Sequence, residues 1–353
     1  AIRPEMTPTI SRMVAARRQE LAYPARFFSI ANFMRYERPQ RGREREFWQL
    51  NVDVFGVDAL TADAEIITIA DAILKEFGAK AEDYKIRINN RKFIHFMMAE
   101  YLGLDSTGAL QMTKLFDRRN KITAQDFDEQ ALLILGESQK DDIAKINQVL
   151  NATDIDSLPE ELKKSSALEE IATVFTALQQ AGVTSAVFDA TLMRGLDYYT
   201  GTVFEVFDTH PDNNRSLFGG GRYDGLVGMF GAEPISSVGM APGNTMIENF
   251  LAVHNLLPSN SSKTDIYIVT IGDATTHAQQ VAAELRAGGL NVEVDITGRK
   301  LDKQIKAALK KTIPYLLFVG EKDINTGQYS LKNSDDETEE ALTPAQIIEK
   351  LAS

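Results

Sequence analysis

The chain has 353 residues, 44% of them apolar, and a formal net charge of −12; that length accommodates two or three domains with real cores. It has no cysteine, which excludes disulfides and thiolate metal sites, and its four histidines (His95, His210, His254 and His277) are scattered. No apolar run approaches the ~20 residues of a membrane span and no secretory leader pattern is present, while the acidic balance argues against polyanion binding by the whole surface without excluding a local basic patch.

The opening Ala1-Ile2-Arg3-Pro4-Glu5 reads as mid-strand, with the expectation that further sequence precedes it. Residues 24–57 read as strand, charged loop, strand: FFSIANF, then RYERPQRGRERE, then FWQLNVDVFG with alternating apolar positions. An amphipathic helix is predicted at about 62–77, with Thr61 and Asp63 as candidate caps. KIRINN at 85–90 is a short alternating strand, and 92–102 reads as helix. From about 106 to 180 helical spacing dominates, with Pro159 and Asp/Ser-rich joints. Strands return over 183–209, followed by a glycine-rich turn at 219–221 and a helix from 243 to 255. LPSNSSK at 257–263 has the composition of a linker. Beyond it the order is β-α-β-α-β, with a basic helix near 300–311, which predicts a parallel or mixed sheet with covering helices. The acidic run SDDETEE at 334–340 reads as a solvated turn.

Three stretches have the residue types that chemistry needs. The arginine loop, Arg35-Tyr36-Glu37-Arg38-Pro39-Gln40 with Arg43 and Arg45, then Phe47-Trp48-Gln49, admits two readings. One is a solvated hairpin tip of balanced charges. The other is a nucleotide site, with Arg35 forked onto a phosphate and Phe47 stacked on a base. LMRGLDYYTGTVFE at 192–205 places Arg194, Asp197 and two adjacent tyrosines among glycines. On a strand, Tyr198 and Tyr199 face opposite sides, one packing and the other offering a phenol to a ligand; the alternative is a tyrosine-rich hairpin. Gly219-Gly220-Gly221-Arg222-Tyr223-Asp224 permits close backbone approach to a ligand or is simply a flexible turn.

Taken in order, IRPEMTP, RYERPQRGREREFWQ, RGLDYYTGTVFE and GGRYDGLV resemble the histidyl-tRNA synthetases, along essentially the whole chain. The resemblance implies an α+β fold: an antiparallel class II synthetase sheet (residues 1–105 and 183–257), a helical insertion (106–182) and a C-terminal α/β anticodon-binding-type domain (263–353). It implies a histidine–tRNA ligase in which the histidine carboxylate attacks the ATP α-phosphate, releasing pyrophosphate, before transfer to the tRNA 3′ end. Catalysis of that step is mostly orientation and positive charge. Arg35 and Arg194 match the two arginines at the α-phosphate. Glu37 and Phe47 match adenine contacts, and Arg43 lies in the loop that reaches the phosphates. Glu5, Thr7 and Gln49 match the residues that take the α-amino group. Asp53 and Tyr199 match the partners of the two imidazole nitrogens, and Arg194, Tyr198 and Tyr223 belong to the same pocket. The implied cofactor is ATP as substrate with Mg2+, without a metal cage of protein ligands alone. The implied partners are histidine, ATP and tRNA(His), with a homodimer in the full-length protein, no membrane and a cytoplasmic location. In the basic helix, Lys303, Lys306 and Lys310 share a face with Arg299 and Lys300 nearby; this is either a track for RNA phosphates or a solvated lysine face.

Two departures from the family pattern are legible. The helix and strand of motif 1 do not precede the activation motifs. After SVGMAPG, motif 3 usually continues Gly-x-Glu-Arg, but this chain has Gly243-Asn244-Thr245-Met246-Ile247-Glu248, with Glu248 near the place of the arginine in a variant form. The rival reading is a catalytically weak paralogue that binds histidine as a regulatory subunit of histidine biosynthesis. The C-terminal domain opposes it. A pure tRNA-binding or scaffold protein has no need of an imidazole pocket.

Overall fold

The alternation flanking the arginine loop produces β1 (Ala25–Met34) and β2 (Glu46–Phe55), antiparallel in unbroken register from Ala25↔Phe55 to Met34↔Glu46. The computed structural model describes residues 2–119, 122–136, 142–193, 198–213, 215–258 and 262–352. Residues 2–6 form no strand, contrary to the mid-strand reading, and lead into helix α1 (Thr7–Arg17). The remaining strands of the first sheet are β3 (Tyr84–Asn90), β4 (Ala186–Phe188), β5 (Thr202–Asp208), β6 (Ser216–Arg222) and β7 (Ser237–Met240). Their order is β1-β2-β7-β6-β5-β3-β4, antiparallel except for the β3–β4 pair. The strand expected across 186–193 is short, ending at Phe188.

Strand alternation sorts the side chains. Val54, Ile86, Ile88, Phe204, Val206 and Val238 turn to one face. There α2 (Thr61–Glu76), α7 (Ala167–Gln180) and α8 (Asn244–Val253) bury them with Ile66, Ile67, Leu74, Leu178 and Phe250. Each such side chain contributes roughly 1.5–3 kcal/mol on burial. On β2 the intervening positions face the other way, onto the site described below. Helices α3 (Arg91–Phe96, running into a π-helical turn, Met97–Tyr101), α4 (Ser106–Asp117), α5 (Ala124–Leu135) and α6 (Asp142–Leu150) gather around a core of their own, which includes Met112, Phe116, Phe127 and Ile146.

Two local expectations are corrected. Helix α2 starts behind Leu60 with no side-chain cap; Thr61 lies inside it, and the fully buried Asp63 turns instead to Arg222. Gly219–Gly221 are not a turn but the centre of β6. A Cβ at Gly220 would stand 2.3 Å from the Gly239 carbonyl oxygen, and one at Gly221 would stand 2.6 Å from that of Thr202. Neighbouring backbone, rather than a bend, requires glycine there.

The chain divides into two units, residues 1–257 and 258–353; of the expected linker, residues 259–261 lie outside the described residues. In the second unit, β8 (Ile266–Thr270), α9 (Thr275–Ala287), β9 (Val292–Val294), α10 (Leu301–Lys310) and β10 (Tyr315–Val319) follow the predicted alternation. Next come α11 (Glu321–Thr326), β11 (Tyr329–Asn333), β12 (Glu339–Leu342) and α12 (Pro344–Leu351). The sheet order is β12-β11-β10-β8-β9, parallel at β8–β9 and β8–β10 and antiparallel beyond β10. The acidic run is thus the tip of a hairpin, with Glu339 and Glu340 already in β12.

Candidate active site

Phe47, Gln49, Asn51 and Asp53 occupy alternate positions of β2 and so share its inner face. Asp53 lies opposite Gly239 of β7, where a Cβ would approach its Oδ1 to 2.3 Å. That glycine makes room for the carboxylate. Tyr223 donates its phenolic hydrogen to Asp53 Oδ1, and Tyr198 donates to Glu5 Oε1 at 2.8 Å. The two adjacent tyrosines precede β5 rather than lying in a strand, so they do not part to opposite faces. Their rings meet at 5.0 Å and both pack on Tyr223, at 5.7 Å from Tyr198 and 6.5 Å from Tyr199. Gly221 clears space for the Tyr199 ring, which a Cβ would meet at 2.9 Å.

Arg222 holds the tyrosine-bearing segment in place. Its Nε lies 3.1 Å from both oxygens of Asp63, Nη2 also contacts that carboxylate, and Nη1 donates to the Val57 carbonyl at 3.0 Å. This is a buried, forked ion pair that fixes β6 against the start of α2.

A cleft of about 1100 Å³ opens beside them, with Glu5, Thr7, Arg35, Gln49, Tyr199 and Tyr223 among its walls. A recess of about 200 Å³ lies under the arginine loop, lined by Arg35, Glu37, Arg43, Phe47 and Gln49, and it shares Arg35, Arg43 and Gln49 with the cleft. Arg35 stands 4.9 Å over the Phe47 ring and donates to the Pro4 carbonyl at 2.8 Å. Arg43 pairs with Glu37 at 3.1 Å. The structure thus brings Glu5, Thr7, Arg35, Glu37, Arg43, Phe47, Gln49, Tyr198, Tyr199 and Tyr223 together, with Asp53 held beneath by Tyr223. Arg194 lies outside the described residues. Arg91, Lys114 and Arg118 also line the cleft. They come from the helical segment after β3, and no motif marks them, because only tertiary packing places them there.

Burial dominates the electrostatics. It pushes the Asp53 carboxyl up to about 7, against the lowering effect of the Tyr223 hydrogen bond and with a further push from Glu5. It also drives the phenols of Tyr198, Tyr199 and Tyr223 above their usual range, with neighbouring acids adding to the rise. The phenols therefore stay neutral hydrogen-bonding groups beside a carboxyl that ionises near neutrality. Among the described residues no group of three or more His, Cys, Asp or Glu side chains could hold a metal by itself.

The histidyl-tRNA synthetase family model matches residues 1–243. The chain belongs to the histidyl-tRNA synthetase family. An anticodon binding domain model matches residues 265–353, the second unit. The histidine–tRNA ligase of Leptospira biflexa is 38% identical over 357 residues, covering 99% of this chain and 80% of that protein. That of Halobacterium salinarum is 36% identical over 338 residues, covering 94% and 77%. The crystal structure of the histidyl-tRNA synthetase from Nostoc sp. PCC 7120 superposes with a TM-score of 0.82 at 25% identity, over 99% of this chain and 83% of that one.

In the second unit, Lys300, Lys303, Lys306 and Lys310 are exposed, whereas Arg299 donates to Asp295 at 2.8 Å and to the Tyr267 hydroxyl at 3.2 Å. Burial alone would raise Asp295; hydrogen bonds from Thr297, Tyr267 and Arg299 hold it at about 2.

Proposed function

We propose that the cleft holds histidine and ATP side by side, with the imidazole at Asp53 and Tyr199 and the adenine on Phe47. The observation that carries this reading is the buried Asp53–Tyr223 pair under the tyrosine cluster, with Arg35, which lies over Phe47, lining the same cleft as Tyr223. The chain is an aminoacyl-tRNA ligase of histidine, as its relatives are. Asp53 accepts a ring N–H while the Tyr199 phenol serves the second ring nitrogen. Glu5, Thr7 and Gln49 receive the α-amino group, and Tyr198, bonded to Glu5, keeps that acid in position. The carboxylate is thereby directed at the α-phosphate, where Arg35, together with Arg194, neutralises the charge gathering on phosphorus. Pyrophosphate leaves, and the tRNA 3′ end then takes the histidyl group from the adenylate. No side chain is needed as nucleophile or general base.

Mg2+ usually binds through one or two carboxylates plus substrate phosphates, and Glu205, which lines the cleft, fits that habit. The ion would add positive charge to the phosphates. We further propose cytoplasmic function, tRNA(His) as the acceptor, contact between Arg299, Lys300, Lys303, Lys306, Lys310 and RNA, and a homodimer. The last is supported by edge strand β1, where Phe28 and Ile30 are 76% and 64% exposed beside Trp48. Among the described residues no helix is long and apolar enough to cross a membrane. The deciding experiment is ATP–pyrophosphate exchange: it should require histidine, and exchange driven equally by other amino acids, or absent with histidine, would reject the reading.

A further inference from the structure

We propose that Arg215 grips the β- and γ-phosphates of ATP from a cavity beside the catalytic cleft, supplying the cation that position 246 lacks. The inference rests on the reading of the cleft as the ATP and histidine site.

That cavity has a volume of about 560 Å³; four arginines (Arg43, Arg87, Arg119 and Arg215) line it with Gly42 and Met246, and three carboxylates, Asp117, Asp189 and Glu205, share its wall. Arg43 lines the cleft, the recess under the arginine loop and this cavity alike. Gly42 and Met246 border both the recess and the cavity. A polyphosphate tail leaving a base on Phe47 and passing Arg43 therefore enters a space where four guanidinium groups face three carboxylates, one of which, Asp189, is already paired with Arg87.

Position 246 brings no charge there. The Met246 sulfur packs on Gly42, 2.1 Å from where a Cβ would stand. Glu248 lines neither the recess nor the cavity and is exposed.

The four arginines differ in what already occupies them. Arg87 is bound to Asp189 at 3.1 Å and lies 4.4 Å over Phe207. Arg119 lies 5.3 Å over Phe127. Arg43 is paired with Glu37. Arg215 donates instead to the neutral amide oxygen of Gln40, at 2.9 Å, and that bond uses one of its five donors. The same loop is tied back by Arg41, which donates to the Asp212 carbonyl at 3.2 Å, and closed by the Gln40↔Arg43 bridge. Arg215 is thus tied to the loop through a neutral partner, and a guanidinium's planar fork of donors suits a phosphate.

The test is calorimetric titration of the full chain and its variants with ATP, inorganic pyrophosphate, AMP and histidine. Arg215→Ala should weaken ATP and pyrophosphate roughly tenfold to a hundredfold, the worth of one charge-assisted hydrogen bond. AMP and histidine affinities should stay within about twofold. Arg215→Gln, which removes the charge from a side chain of similar reach, should show the same selectivity and stands in if the alanine variant does not fold. Adding Met246→Arg to Arg215→Ala should restore ATP binding. An equal weakening of AMP and ATP would overturn the proposal, since Arg215 would then act only by holding the loop. So would unchanged ATP and pyrophosphate binding accompanied by a fall in tRNA charging, which would place RNA phosphates in the cavity. Binding is read without turnover, so absence of histidine-dependent exchange would count against the site reading and not against this grip.

Discussion

Replacing Asp53 with asparagine should stabilise the ligand-free chain above neutral pH while impairing it for histidine. Asp53 is 3% exposed, and burial raises its carboxyl from 3.8 to about 7. Because the folded-state value lies above the unfolded one, the native state binds more protons between about pH 4 and 7. Stability therefore falls as pH climbs through that window, and the penalty is complete above it. At about 1.4 kcal/mol for each tenfold change in proton affinity, the penalty approaches roughly 4 kcal/mol at pH 8 and is about 1 kcal/mol or less at pH 4.5. Asparagine keeps an acceptor for the Tyr223 hydroxyl but carries no charge to desolvate. Urea unfolding can be followed through Trp48, the one tryptophan, which lies on the same strand. The stability gained by Asp53→Asn should grow from pH 4.5 to pH 8. Histidine affinity should meanwhile drop roughly tenfold, as a charge-assisted hydrogen bond becomes a neutral one. A variant with the same stability difference at both pH values would refute the argument that burial of this carboxylate governs the slope.

Tyr199→Phe should weaken histidine by about 1–3 kcal/mol, one ring nitrogen being left without its partner, with ATP affinity retained; equal weakening of both ligands in calorimetry would reject that division of labour. Arg222→Ala should destabilise the first unit by roughly 3–5 kcal/mol, because Asp63 is left buried and unpaired; the pair Arg222→Met with Asp63→Leu should cost far less in the same Trp48-monitored assay. Changing Lys303, Lys306 and Lys310 together to alanine should flatten the salt dependence of tRNA binding by roughly one in log–log slope for each phosphate no longer neutralised, and an unchanged slope would assign them to a solvated face.

How much of this is legible in the sequence depends on whether the cause is local. The hairpin of β1 and β2 follows from alternation alone, and the β-α-β-α-β order of the second unit from the switch of period between its segments. The glycines at 219–221 suggest a turn by composition, whereas their cause is the approach of the carbonyls of Gly239 and Thr202 from other strands. Asp63 looks like a helix cap, yet its partner Arg222 lies 159 residues away. Tyr198 and Tyr199 would part to opposite faces under a strand rule that does not apply before β5 begins. Arg91, Lys114, Arg118 and Arg215 bear no motif at all; helix packing and a loop clasp bring them to the site. The pocket's residue types are therefore readable where motifs hold them together, and its outer ring of cations is not.

Strand β2 also acts as a measuring rod. Phe47 and Asp53 sit on the same side of it, separated by six steps, or ~20 Å at the usual rise, so under the proposed roles the spacing of base and imidazole is set by counting residues. Deleting two residues between them would preserve the facing of both and shorten the span by ~7 Å. Deleting one would turn Asp53 into the helix-covered core and abolish recognition whatever happened to the length. Under the proposed roles, one stretch of backbone sets the spacing of the two contacts by its length and their facing by its parity.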